Sequence, residues 1–171
     1  MLKMIGLIAL VAAAGFAGVQ KSAELKERIR LLEDFLKMML DLKSRIDYFK
    51  QPLLPMFQQT SAKKNTVAYR LLDRCQTELR EKQGEIRSIW LHAAEETYRK
   101  TPLTKEDMQS ICHLGSFIGQ TNYENQKMQF EYLEKRLEEQ LTEAREESRV
   151  KGPMYRRIGF FGGAVAALVL L

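Results

Sequence analysis

Residues 4–19, "MIGLIALVAAAGFAGV", carry no charge, and neither do residues 158–171, "IGFFGGAVAALVLL". Between them the chain is densely charged. All 22 Asp and Glu lie between Glu24 and Glu147, and residues 21–157 hold 26 of the 27 Lys and Arg. Apolar end, charged middle, apolar end is the pattern any fold must accommodate.

The opening segment has three readings. As a cleaved signal peptide, Lys3 supplies the basic start, and "GFA" at 15–17 has the small-x-small form of a cleavage site. As a buried core helix it lacks the polar face such helices carry. As a retained membrane helix, residues 1–20 span about 30 Å, the thickness of a hydrocarbon core. Lys21, Lys26, Arg28 and Arg30 follow closely, which suits a retained anchor. Residues 158–171 alone reach about 21 Å. Met154 and Tyr155 extend them, with Arg156 and Arg157 snorkelling toward headgroups. Both basic flanks face the middle of the chain. The expectation is therefore an N-terminal transmembrane helix over 1–20, a cytoplasmic helical domain over 21–157 and a C-terminal transmembrane helix over 158–171. Ala14 with Gly18, and Gly159 with Gly163, have the small-xxx-small spacing that lets membrane helices approach closely.

The middle reads as all α. Leu25, Ile29, Leu32, Leu36 and Met39, continued by Leu42, Ile46 and Phe49, form a heptad-like stripe over 24–50. "QPLLP" ends that helix, because Pro52 and Pro55 disfavour helix before them. Thr121 and Glu124 have capping-box spacing at the start of a second long helix, whose apolar face is Phe130, Leu133, Leu137, Leu141 and Ala144. Four shorter helices fill the interval: 53–62, 66–82, 85–100 and 104–118, the last capped by "TKED" and followed by Gly119. No stretch alternates with period two. The fold class expected is an all-α bundle of about six helices, two of them long antiparallel stalks that run into the terminal spans.

Chemistry is sparse. His92 with Glu95 has the i, i+3 spacing of a metal-binding helix, but no second such motif exists to complete a site. Cys112 and His113 are adjacent on a helix and point about 100° apart, so they do not form a nucleophile–base pair. "GSFIG" at 115–119 has neither the Lys nor the preceding strand of a phosphate loop. Trp90 and the Met38–Met39 pair read as core. The acidic run Glu138, Glu139, Glu143, Glu146 and Glu147 reads as a solvated face, with a docking strip as the alternative. Cys75 and Cys112 do not make a disulfide framework. The alternating charge of the middle is not a nucleic-acid stripe. These residues argue against an enzyme and imply no catalytic, metal or cofactor site and no cofactor.

Several stretches taken in order carry a resemblance: the opening "MLKMIGLIALVAAAGFAG", "RIDYFKQPL" at 45–53, "HLGSFIGQTNYENQ" at 113–126 and the closing "GFFGGAVAALVLL". Over nearly its whole length the chain resembles the stage III sporulation protein AB family. That resemblance implies a soluble domain similar to those of type II secretion and type IV pilus platform proteins. It implies a non-enzymatic membrane adaptor in the channel between mother cell and forespore. There it would couple a cytoplasmic secretion-type ATPase, stage III sporulation protein AA, to membrane components. The implied location is the mother-cell membrane, with the soluble domain cytoplasmic. The implied partners are that ATPase, other membrane components and the bilayer, with a homo-oligomer left open and no nucleic acid. Tyr48, Pro52 and Leu53, and the turn around Gly115, Gly119 and Asn122, carry the resemblance. Each is a candidate for partner surface or for fold shaping. A membrane-anchored helical sensor, or a metal or redox protein using His92, Glu95, Cys75 or Cys112, stands as the alternative.

Overall fold

The computed structural model describes residues 2–49, 53–61, 66–81, 84–119 and 122–169; side chains are not described at 2–5, 7–11, 47–49, 53, 61, 163–164 and 166–169. Six helices and no strand occur among these residues. They are α1 (Leu2–Phe49), α2 (Leu53–Ser61), α3 (Val67–Glu81), α4 (Ile86–Tyr98), α5 (Lys105–Phe117) and α6 (Tyr123–Val169). The terminal apolar segments are not separate helices. Each is continuous with a charged stalk in one uninterrupted helix, because no Gly–Pro or turn chemistry separates residue 20 from residue 24. At the other end Pro153 is accommodated inside α6.

Among the described residues no helix is long and apolar enough to cross a membrane. The two flanking transmembrane helices expected from the sequence are thus not supported by this structure. Much of the strongest apolar sequence, at 2–5, 7–11, 163–164 and 166–169, lies where side chains are not described.

The chain divides into two compact units. One comprises residues 1–29 and 142–171, the other residues 30–141. These divisions fall within the helices, inward of the boundaries at 20 and 157 suggested by charge.

In the unit spanning 30–141, helices α2 to α5 each pack on the next in chain order. Leu31, Leu32, Phe35, Met38, Met39 and Leu42 of α1 are buried there. This differs from the expected stripe: Leu36 and Ile46 are only partly buried. The reason is that α1 has neighbours on several sides. Asp41 accepts from Tyr69 of α3 at 2.7 Å, Arg45 donates to Gln59 of α2 at 3.1 Å, and Lys43 donates to Glu134 of α6 at 2.8 Å. A helix enclosed this way buries a face wider than a heptad seam. The face of α6 is as the spacing predicts, with Phe130, Leu133, Leu137, Leu141 and Ala144 all buried. Burying side chains such as these stabilises by about 1.5–3 kcal/mol for each Leu or Phe.

Helix ends follow local chemistry. Thr104 and Asp107 form a reciprocal capping box at the start of α5. Gly119 has φ of 82°, the left-handed conformation that ends a helix without a Cβ penalty. The cap of α6 is Asn122 rather than the expected Thr121, which lies outside the described residues. The Asn122 side-chain oxygen accepts from the Asn125 amide at 3.1 Å, and its carbonyl accepts from the Gln126 amide at 3.0 Å.

Candidate functional site: a helix pair with small residues inside and large apolar residues outside

In the unit formed by residues 1–29 and 142–171, the start of α1 lies antiparallel to the end of α6. Glycine permits the approach. A Cβ on Gly18 would strike the Tyr155 carbonyl oxygen and come within 3.2 Å of the Gly159 Cα; a Cβ on Gly159 would come within 2.7 Å of the Ala14 carbonyl oxygen. Ala14, Gly18 and Gly159 are therefore brought together, backbone against backbone. The Gly163 side of the second glycine pair is not described.

Polar residues continue the seam below these glycines. Ser22 is buried, and a Cβ on buried Gly152 would sit 3.4 Å from its hydroxyl oxygen. The Arg156 Nε donates to Ser22 Oγ at 3.0 Å. Farther along, buried Arg28 donates to Glu147 Oε2 at 3.0 Å, and Lys151 donates to Glu147 Oε1 at 2.8 Å. The Lys151 hydrogen bond, helped by both cations, holds the Glu147 carboxyl below its ordinary value; Glu147 in turn raises Lys151.

Several large apolar side chains of this unit lie on its surface. Phe16 is 71% exposed, Ile158 59%, Phe160 62%, Phe161 63% and Val165 60%. These large apolar groups face out, while Gly18 and Gly159 lie at the contact between the two helices.

The remaining sequence candidates fall elsewhere. Gly115 is buried on α5 against the Trp90 indole of α4, so its role is packing. Gly119 and Asn122 shape the turn from α5 to α6. Tyr48 lies in α1 with its side chain not described, Leu53 opens α2 likewise, and Pro52 is outside the described residues.

His92 pairs through Nδ1 with Glu78 of α3 at 2.9 Å, not with the acids of its own helix. Among the described residues no three His, Cys, Asp or Glu cluster to hold a metal. Burial pushes the Cys75 thiol up to about 12 and also raises Cys112, which opposes thiolate chemistry at either. His113 bridges to Gln129 at 3.1 Å, with Phe117 and Tyr132 rings edge-on to it. That link between α5 and α6, like the Ser22–Arg156 and Arg28–Glu147 pairs, was not predicted from sequence. For the two α1–α6 pairs a signal existed: setting Gly18 against Gly159 fixes the antiparallel register and carries Ser22 toward Arg156.

The class this fold defines is an all-helical protein, with two long helices and, between them in chain order, four shorter ones among the described residues. The chain belongs to the stage III sporulation protein AB family, whose family model matches residues 3–171. A solved structure titled stage III sporulation protein AB shares the fold at 17% identity and a TM-score of 0.65, covering 71% of this chain and 96% of that one. Among curated proteins nothing matches the sequence. The family gives the chain a sporulation-related role.

Proposed function

We propose that this protein is a non-enzymatic membrane platform of the channel between mother cell and forespore. Its two terminal segments sit in the mother-cell membrane, and its helical body lies in the cytoplasm, where it receives a secretion-type ATPase. The observation that carries this reading is the set of large apolar side chains exposed on the α1–α6 terminal pair. Outward Phe16, Ile158, Phe160, Phe161 and Val165 would each cost free energy against water and none against lipid tails. Inward Gly18 and Gly159 allow the close backbone contact on which helix association in lipid depends. The basic residues that follow the first segment and precede the second support a body on the cytoplasmic side. Family membership supplies the sporulation context, and the type of ATPase comes from the resemblance noted in the sequence. The redox alternative is weakened by the raised thiol pKa values, and the metal alternative by the contact to Glu78 that His92 Nδ1 already makes.

Detergent extraction of the full chain from sporulating cells, followed by affinity capture, tests the proposal. The expected result is extraction only with detergent and co-capture of the ATPase. Recovery in the soluble fraction, or digestion of the helical body by protease added outside intact mother cells, would remove its basis.

A further inference from the structure

Most cations near the apolar ends already have a carboxylate. Lys21 pairs with Glu24 at 2.7 Å, Arg149 with Glu146 at 2.7 Å, and Arg28 and Lys151 share Glu147. Glu147 is the last acid of the chain and Glu24 the first. Arg156 and Arg157 lie beyond both and have no carboxylate partner among the described residues. They are exposed, and they sit among exposed Met154, Ile158, Phe160 and Phe161.

Arg156 is also oriented. Its Nε is committed to the buried Ser22 hydroxyl on the facing helix, which leaves the two terminal nitrogens of the guanidinium to bind something else. A guanidinium so fixed presents paired N–H donors, the geometry that suits a phosphate. As neighbours on a helix, Arg156 and Arg157 diverge by about 100°, so they address two anionic groups rather than chelate one.

We propose that Arg156, oriented by Ser22, and Arg157 form a binding surface for the phosphodiester headgroups of anionic phospholipids. The charge complementarity comes from two unpaired guanidinium groups. The commitment to lipid over free phosphate comes from the apolar side chains exposed beside them, which match acyl chains and have no counterpart in a soluble anion. This inference rests on the membrane reading above and adds to it a lipid class and the residues that select it.

The test uses the purified full chain in neutral detergent, offered equal amounts of phosphatidylglycerol and phosphatidylcholine, with bound lipids counted by native mass spectrometry. Phosphatidylglycerol is expected to be retained in preference, and Arg156→Gln with Arg157→Gln to cut that preference by at least about fivefold, the effect of one cation near an anionic surface. Arg156→Lys with Arg157→Lys keeps both charges but loses the fork held by Ser22, so its preference falls below the parent and above the double Gln variant; a preference equal to the parent's overturns the orienting role. Ser22→Ala, which keeps both charges, produces a smaller loss; no loss at all overturns the orienting role. Equal retention of the two lipids, or an unchanged preference in the double Gln variant, overturns the proposal while leaving the membrane reading intact. A chain that stays monodisperse without detergent and retains neither lipid overturns the membrane reading itself. Should the double Gln variant not fold, molar salt on the unmodified chain gives the same readout, because screening shortens to about 3 Å. A preference that survives such salt counts against the proposal.

Discussion

Gly115 on α5 lies directly against Trp90 on α4. A Cβ there would sit 2.5 Å from the indole Cγ and 2.7 Å from the Trp90 Cβ. The indole cannot swing aside easily, because its Nε1 donates to the Ile111 carbonyl at 2.8 Å and its ring packs beside Phe57.

Gly115→Ala sets two effects against each other. Replacing a helical Gly by Ala gains about 1 kcal/mol of propensity. Overpacking a close-packed core costs about 1–3 kcal/mol. The clash involves atoms near the Trp90 backbone rather than a flexible tip, so the steric term wins. Net destabilisation of about 1–2 kcal/mol is expected in urea unfolding. Trp90, the only tryptophan, reports it by fluorescence. A stabilised variant would show that the α4–α5 contact is looser than described.

The turn between α5 and α6 makes a second, independent prediction. Asn122→Ala removes the acceptor of the Asn125 amide and should cost about 1 kcal/mol, whereas Asn122→Asp should keep the cap and be close to neutral. Gly119→Ala forces a Cβ into positive φ at a cost of about 1–2 kcal/mol. The two sites share the turn, so the double variant measures their coupling as well as their sum.

How far the sequence could be read depends on what enclosed each element. The stripe Phe130, Leu133, Leu137, Leu141 and Ala144 of α6 emerged from spacing alone because that helix buries one face. The matching reading of α1 placed the Met38–Met39 pair in the core but missed Leu31 and Phe35, since periodicity reveals a dominant face but not how many neighbours a helix will have. The cap fell one residue late because Thr121 and Asn122 are both good cap residues and the choice rests on where the backbone enters the helix. Gly18 and Gly159 were visible as small-residue signals. Ser22 with Arg156, and Arg28 with Glu147, were not read out, because spacing within one helix does not give them; they follow only once Gly18 is set against Gly159 across the two helices.

Gly159→Ala tests that register. Its Cβ would meet the Ala14 carbonyl oxygen at 2.7 Å and the Gly18 Cα at 3.1 Å, and neither backbone atom can give way without parting the helices. Spin labels at exposed Lys26 and Arg149, both within the same unit, should show a longer and broader distance distribution in the variant than in the parent. An unchanged distribution would mean that the glycine contact does not set the helix separation.

Arg28 and Glu147 provide the final prediction. The Arg28 side chain is 9% exposed and that of Glu147 31%, so the pair is partly shielded from water. Glu147→Gln leaves the buried cation without its carboxylate. A fully buried broken pair costs about 3–5 kcal/mol and an exposed one below about 1 kcal/mol, so a loss of about 1–3 kcal/mol is expected at neutral pH. The sign of the pH dependence follows from the direction of the shift. Glu147 titrates below its ordinary value of 4.5 because Lys151 and Arg28 favour its charged form. A carboxylate depressed in the folded state contributes stability above its unfolded value and loses it as pH falls through the folded one. The difference between the parent chain and Glu147→Gln should therefore be constant from neutrality down to about pH 5, then shrink as the pH drops below 4.5 toward the depressed value. Arg28→Met in the Glu147→Gln background should recover part of the loss, since it removes a largely buried charge that has lost this carboxylate while keeping much of the side-chain volume. A stability gap that persists unchanged into strong acid would show that Glu147 acts through packing rather than through its charge.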